Sequence, residues 1–139
     1  MYRNEPLDKY LLDAAAGTPA PGGGSIAAFV GALATTMVSM SAKFTVGKEE
    51  FKQFDSQLKK ILEECEKSRE TLLSLMEEDV KVYGEVNKAL ELSKSTEAEK
   101  NKRSEAIQKA TIMAMIVPLK ATMCCLYVLQ QTRALVDIV

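Results

Sequence analysis

The sequence predicts an all-α protein, a helical bundle built around one long amphipathic helix. Apolar residues recur at intervals of three and four along most of its 139 residues, and no segment shows the period of two typical of a strand. Two of the four prolines and three of the seven glycines fall between Thr18 and Gly24. A chain of this length fits a single domain, 1–139, with one hydrophobic core.

The first helix is predicted over Leu7 to Ala16, with Gly17 just past its end, where a left-handed residue can satisfy terminal carbonyls. The segment from Thr18 to Gly24 cannot be helical because prolines and glycines interrupt it. A second helix is predicted from Ser25, which can act as its N-cap, to about Thr45, before Gly47.

The second helix has no convincing solvent face. Large side chains recur at three and four along it, and Ala27, Gly31, Thr35 and Ser39 form a ridge of small residues, which lets another backbone approach closely. We therefore expect other helices or a second subunit to surround it, and a homodimer or larger oligomer to form through this helix. The uncharged stretch Ile26 to Ala42 also permits a membrane span, which its hydroxyl residues disfavour.

A long amphipathic helix, either continuous or interrupted, is predicted from Lys48 to about Leu92, with core positions spaced in sevens. Asp79 is the only charged residue on this apolar stripe. After a polar link, Thr96 and Glu99 form a capping box that opens a last helix, and Pro118 is expected to kink or restart it.

The composition excludes some functions. A net charge of −1 without a long basic run gives no support for nucleic-acid binding. Three cysteines, an odd number, and a start without the apolar core of a signal peptide favour the cytoplasm. The chain has no histidine, and Cys124 and Cys125 are adjacent rather than spaced as metal ligands, so we expect no metal site and two small core residues there.

Asp79 is the strongest candidate for catalysis because a carboxylate facing a core often has a raised pKa and a catalytic task. The alternative is that the helix phase drifts and turns Asp79 toward solvent. Tyr83, one turn on, could hydrogen-bond the carboxylate or be a plain core tyrosine. Glu77 and Glu78 are expected to be solvated, although neighbouring carboxylates could divide acid and base roles.

Two further features are candidates for ligand binding. The turn Gly22-Gly23-Gly24-Ser25 enters a helix, where backbone amides and the helix dipole can hold an anion or a carbonyl; it could equally be a tight connection. Lys43 could meet a substrate carboxylate, or simply be a favourable charge at a helix C-terminus.

Several motifs resemble those of the formiminotransferase-cyclodeaminase-like family, which includes cyclodeaminases and methenyltetrahydrofolate cyclohydrolases. They are the segment Thr18 to Ser25, Phe44 to Lys48, Glu78 to Tyr83, and Val117-Pro118-Leu119. The resemblance implies an all-helical, dimeric enzyme of folate one-carbon metabolism that needs no cofactor beyond its tetrahydrofolate-derivative substrate. It also implies that Asp79 transfers protons and that the Gly22 to Ser25 turn lies on the ligand side.

Hydrolysis of 5,10-methenyltetrahydrofolate to 10-formyltetrahydrofolate is the first expectation, because the chain shows no formiminotransferase part. The alternatives are formiminotetrahydrofolate cyclodeaminase, which releases ammonia, and a non-catalytic helical interaction module, in which the heptads from Phe51 to Val86 pair between molecules and Asp79 lies outside. Family members usually continue with a segment bearing Gly-Asn, so we expect the domain to be truncated after Val139.

Overall fold

The computed structural model describes all residues from 1 to 139 and contains four α-helices and no strand. The helices are α1 (Leu7–Ala15), α2 (Gly23–Thr45), α3 (Asp55–Leu90) and α4 (Glu97–Val136). Short 3₁₀ turns occupy Tyr2–Asn4 and Glu49–Phe54. The three long helices pack on one another, and α3 contacts both α2 and α4. The prediction of an all-α bundle around a long amphipathic helix is confirmed.

Helix α2 begins at Gly23, two residues before the predicted N-cap. Gly22 is the N-cap, and Ser25 is already inside the helix, where its hydroxyl donates to the Met76 carbonyl of α3 at 2.9 Å. The prediction that Ser25 caps α2 is therefore wrong. The other end agrees with the sequence, because the helix ends at Thr45 and Gly47 has a φ of 82°.

Helix α2 turns its small residues inward and its large ones outward. The buried positions are Ser25, Ala28, Ala32, Thr35, Val38, Ala42 and Thr45. A Cβ at Gly31 would lie 2.7 Å from the Cys125 sulfur of α4, which shows how closely the helices approach. The small ridge thus serves contacts within the chain, where Gly31 and Thr35 take part as predicted. Ala27 is exposed and does not.

A stripe of large apolar side chains remains exposed along α2. It consists of Ile26, Val30, Leu33, Met37, Met40 and Phe44, and each side chain is between 39% and 70% exposed. Helix α4 has a comparable exposed row that includes Met115, Leu119, Met123 and Leu126. Both α2 and α4 are long and apolar enough to cross a membrane by length and composition. We call the six α2 residues the α2 stripe below.

Helix α3 supplies the centre of the core. The predicted heptad positions Leu58, Ile61, Cys65, Leu72 and Leu75 are buried, and so is Ser68. One cluster joins Leu72 and Leu75 to α1, α2 and α4, and a second cluster joins Leu58, Ile61 and Cys65 to α2 and α4. The heptads are therefore used inside the chain, contrary to the intermolecular pairing that an interaction module requires.

Helix α4 opens with the predicted capping box, in which the Thr96 hydroxyl accepts from the Glu99 amide and the Glu99 carboxylate accepts from the Thr96 amide. The helix then continues through Pro118 to Val136 without a restart. Val117 and Ala121, on either side of Pro118, are both buried in the first cluster, so packing holds the helix together where one backbone hydrogen bond is missing.

Candidate functional site

The start of α2 meets the middle of α3 at Asp79. The Ser25 amide donates a hydrogen bond of 2.9 Å to Asp79 Oδ2. The first amides of any helix have no carbonyl partner within it, and a carboxylate there is also favoured by the helix dipole. Asp79 therefore caps α2 from a neighbouring helix, although the two residues lie 54 positions apart in the sequence.

Gly24 makes room for this carboxylate. A Cβ at Gly24 would overlap Asp79 Oδ1 and would lie 2.8 Å from Cγ. A Cβ at Gly23 would meet nothing within 4 Å, and one at Gly22 would lie 3.6 Å from the Pro19 carbonyl oxygen, an ordinary contact. Of the three glycines in the turn, Gly24 is the one whose missing side chain the site requires.

Asp79 is half-buried and points toward α2 rather than outward, so the drift of helix phase does not turn it to solvent. Burial raises the pKa of the Asp79 carboxyl above its usual 3.8, and the hydrogen bond from the Ser25 amide partly opposes that shift. Oδ2 accepts this hydrogen bond, whereas Oδ1 accepts none. Such a carboxylate has one oxygen held in place and one available as a base.

A buried hydrogen bond between two hydroxyl groups, those of Tyr10 and Ser25, lies next to the glycine-rich turn. Tyr10 Oη lies 2.8 Å from Ser25 Oγ, and because Ser25 donates its own proton to the Met76 carbonyl, Tyr10 is the donor to Ser25. Tyr10 and Ser25 are 3% and 0% exposed. Burial raises the pKa of Tyr10. Tyr10 was not among the residues predicted from the sequence, although it is the only aromatic residue of the amphipathic α1.

Two predicted ligand residues do not join this cluster. Tyr83 is 39% exposed and forms no hydrogen bond with Asp79, so it is neither the expected partner of the carboxylate nor a core tyrosine. Lys43 lies in the last turn of α2, roughly 27 Å along the helix from Ser25 at 1.5 Å per residue. Its position agrees with the alternative interpretation, a favourable charge at a helix C-terminus.

Glu77 is not solvated as predicted. It is 8% exposed, and its carboxylate accepts a hydrogen bond of 2.9 Å from the Arg3 amide. The Arg3 side chain pairs with Glu70 at 2.6 Å, so the N-terminal segment is tied to α3 at two points. Glu77 therefore has a structural partner, and Asp79 is the carboxylate at the glycine-rich turn.

The cysteines contact the core, as expected of small core residues. Cys65 is fully buried, whereas Cys124 and Cys125 are half-buried and pack against the first cluster. The Cys124 thiol donates a weak hydrogen bond of 3.7 Å to the Ser68 carbonyl. No group of three or more Cys, Asp or Glu side chains is arranged so that it could hold a metal ion.

Fold and site together define an all-helical protein with a single acidic group held at a glycine-rich helix start. A family model described as formiminotransferase-cyclodeaminase matches residues 6–139. The chain belongs to this family, as the sequence motifs predicted.

Individual relatives agree with this assignment. The chain is 37% identical over 125 residues to methenyltetrahydrofolate cyclohydrolase of Methylorubrum extorquens, covering 90% of this chain and 60% of that protein. It is 32% identical over 114 residues to formimidoyltransferase-cyclodeaminase of Mus musculus, covering 82% of this chain and 21% of that protein. The chain thus spans about three fifths of the length of the cyclohydrolase and about one fifth of the length of the formimidoyltransferase-cyclodeaminase.

The fold is also that of a solved structure. Formiminotetrahydrofolate cyclodeaminase from Thermotoga maritima matches 99% of this chain and 79% of its own, with a TM-score of 0.63 and 23% sequence identity. At this identity the match shows the shared all-helical fold.

Proposed function

We propose that this protein hydrolyses 5,10-methenyltetrahydrofolate to 10-formyltetrahydrofolate, with Asp79 as the proton acceptor. The observation that carries the proposal is the Asp79 carboxylate, fixed through Oδ2 by the Ser25 amide and unpartnered at Oδ1. The proposal is also supported by the 37% identity of this chain to a methenyltetrahydrofolate cyclohydrolase.

The substrate's chemistry matches a lone carboxylate. The methenyl bridge carbon lies between two nitrogens, N5 and N10, that share a positive charge, and a carboxylate nearby stabilises that charge. Water adds through its oxygen to the bridge carbon while Asp79 Oδ1 takes one of its protons. The bond from carbon to N5 then breaks, N5 receives a proton from Asp79, and the formyl group stays on N10. One proton leaves to solvent, which balances the lost positive charge.

The raised pKa of Asp79 suits this role. Proton transfer by a positioned side chain is most effective when its pKa lies near the working pH, because the group must be both ionised and basic. Burial moves the pKa of Asp79 upward from 3.8, in that direction. We infer that the same burial that costs folding free energy makes Asp79 a stronger base than an exposed aspartate.

The glycine-rich turn is proposed to bind the substrate beside Asp79. Gly23 and Gly24 are the first two residues of α2, so their amides have no carbonyl partner in the helix. Amides at a helix start can donate to a ligand carbonyl. Gly22 gives the extended backbone that leads into them, and Ser25 holds the carboxylate. Tyr83 stays a proposed substrate contact, since its exposed ring lies one turn beyond Asp79.

The second candidate is the cyclodeaminase reaction, which the 32% identity to a formimidoyltransferase-cyclodeaminase favours. It would use the same carboxylate to deliver a proton to departing ammonia. Both reactions act at the carbon between N5 and N10, so the geometry around Asp79 serves either. The interaction module is not proposed, since the heptads pack within the chain and Asp79 contacts Ser25.

The test is to offer the protein both substrates. Loss of the methenyl absorbance of 5,10-methenyltetrahydrofolate is followed against an uncatalysed blank, and ammonia release from 5-formiminotetrahydrofolate is followed in parallel. We expect acceleration of the first reaction. Ammonia release with no acceleration of methenyl loss would assign the cyclodeaminase reaction, and no acceleration of either would reject enzymatic function for this chain.

We further propose that the protein works in the cytoplasm as a homodimer and binds neither nucleic acid nor a membrane. The homodimer is supported by the α2 stripe, whose six residues follow one another at intervals of four and three positions and so form one continuous exposed apolar face that another helix can cover. A second copy supplies an identical stripe. No cofactor besides the folate substrate enters the proposed reaction.

A further inference from the structure

A cavity of about 470 Å³ lies between the last three turns of α3 and the first half of α4. Its apolar lining is formed by Val82, Ala89 and Leu92 on the α3 side and by Ala106, Ala110 and Met113 of α4. Four of these six side chains are alanine or valine and leave space that larger side chains would fill. This volume is within the usual range for small-molecule sites, about 300–1,000 Å³.

The polar rim of the cavity carries one uncompensated positive charge. Glu85 and Lys88 line it and pair with each other at 2.7 Å. Lys109, on the α4 side, forms no ion pair in the structure. An apolar slot with a free ammonium at its rim suits a ligand that joins a flat apolar body to a carboxylate.

The cavity begins one helical turn from the proposed catalytic group. Val82 follows Asp79 by three residues, and Lys88 follows it by nine, which is roughly 13 Å along α3. The cavity therefore extends away from Asp79 by more than two turns. In a reduced folate, a para-substituted benzene ring and an amide lie between the reacting nitrogen N10 and the glutamate carboxylates. Binding both ends of such a ligand requires two contact points about two helical turns apart.

We propose that this cavity binds the aminobenzoyl-glutamate part of the folate substrate, with the ring between α3 and α4 and a glutamate carboxylate on Lys109. This inference rests on the proposed function, because it places N10 at the Asp79 end. The Glu85–Lys88 pair leaves Lys109 as the cation that a carboxylate meets on entering. Ala106 and Ala110 give the ring its space.

Binding of a substrate fragment tests this site without any turnover. N-(4-aminobenzoyl)-L-glutamate is titrated into isotope-labelled protein, and amide shifts are followed by heteronuclear NMR. We expect the largest shifts at Val82, Ala89, Ala106 and Ala110. Lys109→Gln should weaken binding roughly ten-fold, the usual effect of one charge-assisted hydrogen bond of about 1.4 kcal/mol. Lys102→Gln, the same change at an exposed lysine outside the cavity, should bind like the wild type.

Ala110→Phe provides a second variant, since its ring fills the cavity. We expect it to abolish fragment binding while the helical circular dichroism and the urea midpoint stay close to wild type. Shifts confined to other regions, absence of binding at millimolar fragment, or wild-type affinity in both Lys109→Gln and Ala110→Phe would overturn the inference.

The assay of methenyl hydrolysis separates this inference from the proposed function. Turnover in a protein whose KM is unchanged by Lys109→Gln and Ala110→Phe would leave the function standing and reject the cavity. Fragment binding at the cavity in a protein without turnover would reject the function and leave the binding site.

Discussion

The Asp79 carboxylate lies so close to Gly24 that a methyl group on Gly24 would overlap it. Gly24→Ala should displace the carboxylate and destabilise the protein by about 1–3 kcal/mol, the usual cost of overpacking. Gly23→Ala is the matched control one residue away, where a Cβ meets nothing, and helix propensity predicts no loss or a small gain. Urea unfolding measures both. Equal effects of the two substitutions would show that the Asp79 carboxylate does not lie against Gly24.

The ionisation of Asp79 should also appear in the stability of the fold. The pKa of the Asp79 carboxyl is raised in the folded state, so this group contributes stability that is fully present below pH 3.8. The contribution is lost as the pH rises through the raised pKa. Asp79→Asn keeps an acceptor for the Ser25 amide and removes the titration. We therefore expect Asp79→Asn to gain unfolding free energy relative to wild type between pH 4 and pH 7.

Asp13→Asn is the contrasting variant. The Asp13 pKa is lowered by hydrogen bonds from Lys9 and Tyr2, so its contribution is present above pH 3.8 and lost as the pH falls. Asp13→Asn should therefore lose stability relative to wild type at pH 7. Urea unfolding of the wild type and both variants at pH 4 and pH 7 gives the change in unfolding free energy that each substitution causes. Changes of the same sign at pH 7 would contradict the burial assigned to Asp79.

Single residues were partly predictable from the sequence. Asp79 stood out because a period of seven placed one charge on an apolar stripe, and that signal is local to α3. Its partners were not visible, since Ser25 and Tyr10 come from α2 and α1 and meet it only through tertiary packing. Tyr83 and Lys43 were predicted from their chemistry, but Tyr83 forms no hydrogen bond with Asp79, and Lys43 lies at the opposite end of α2 from Ser25.

Helix α2 shows that residue spacing marks the faces of a helix without saying which face turns inward. The sequence predicted that other helices or a second subunit surround α2, but within the chain the close approach of α3 and α4 admits only the small side. The three-and-four spacing correctly marked two faces. Which face turned inward depended on the neighbouring helices, Leu72 on α3 and Cys125 on α4.

Gly31 sets the distance between α2 and its neighbours. Gly31→Ala adds a methyl group 2.7 Å from the Cys125 sulfur, and we expect a loss of about 1–3 kcal/mol despite better helix propensity. Adding Cys125→Ala removes the sulfur and should restore part of that loss, a coupling that a double-mutant cycle in urea measures. Additive losses in the double variant would mean that the two positions are not in contact.

The molecule as a whole leaves much apolar surface uncovered, and the α2 stripe is its most regular part. We expect a dimer in sedimentation velocity without detergent, and Met37→Glu, in the centre of the stripe, should yield monomers because two charges would face each other. Leu12→Glu alters an apolar side chain on α1 that is at least as exposed as Met37 and should leave the dimer intact. A monomeric wild type, or one that needs detergent to stay in solution, would contradict a helix-paired dimer.

At this scale the all-α class and most of the helix ends were predictable, because glycines, the Thr96 capping box and apolar periodicity are local signals. The 3₁₀ turn at Glu49–Phe54 and the continuous helix through Pro118 were harder to predict. Phe51 and Phe54 pack against the second cluster, and Val117 and Ala121 lie in the first, so tertiary contacts accompany both features. Family membership rested on short motifs, and the match over residues 6–139 bears it out.

The role of Asp79 as the base is tested by the rate of methenyl hydrolysis by Asp79→Asn, measured beside wild type and an uncatalysed blank. Asn keeps the shape and the hydrogen bond from Ser25 but cannot accept the water's proton. We predict a fall of about 10²–10⁴-fold, with urea unfolding confirming that the variant is folded. A folded Asp79→Asn that hydrolyses the methenyl bridge at the wild-type rate would contradict the assignment of Asp79 as the base.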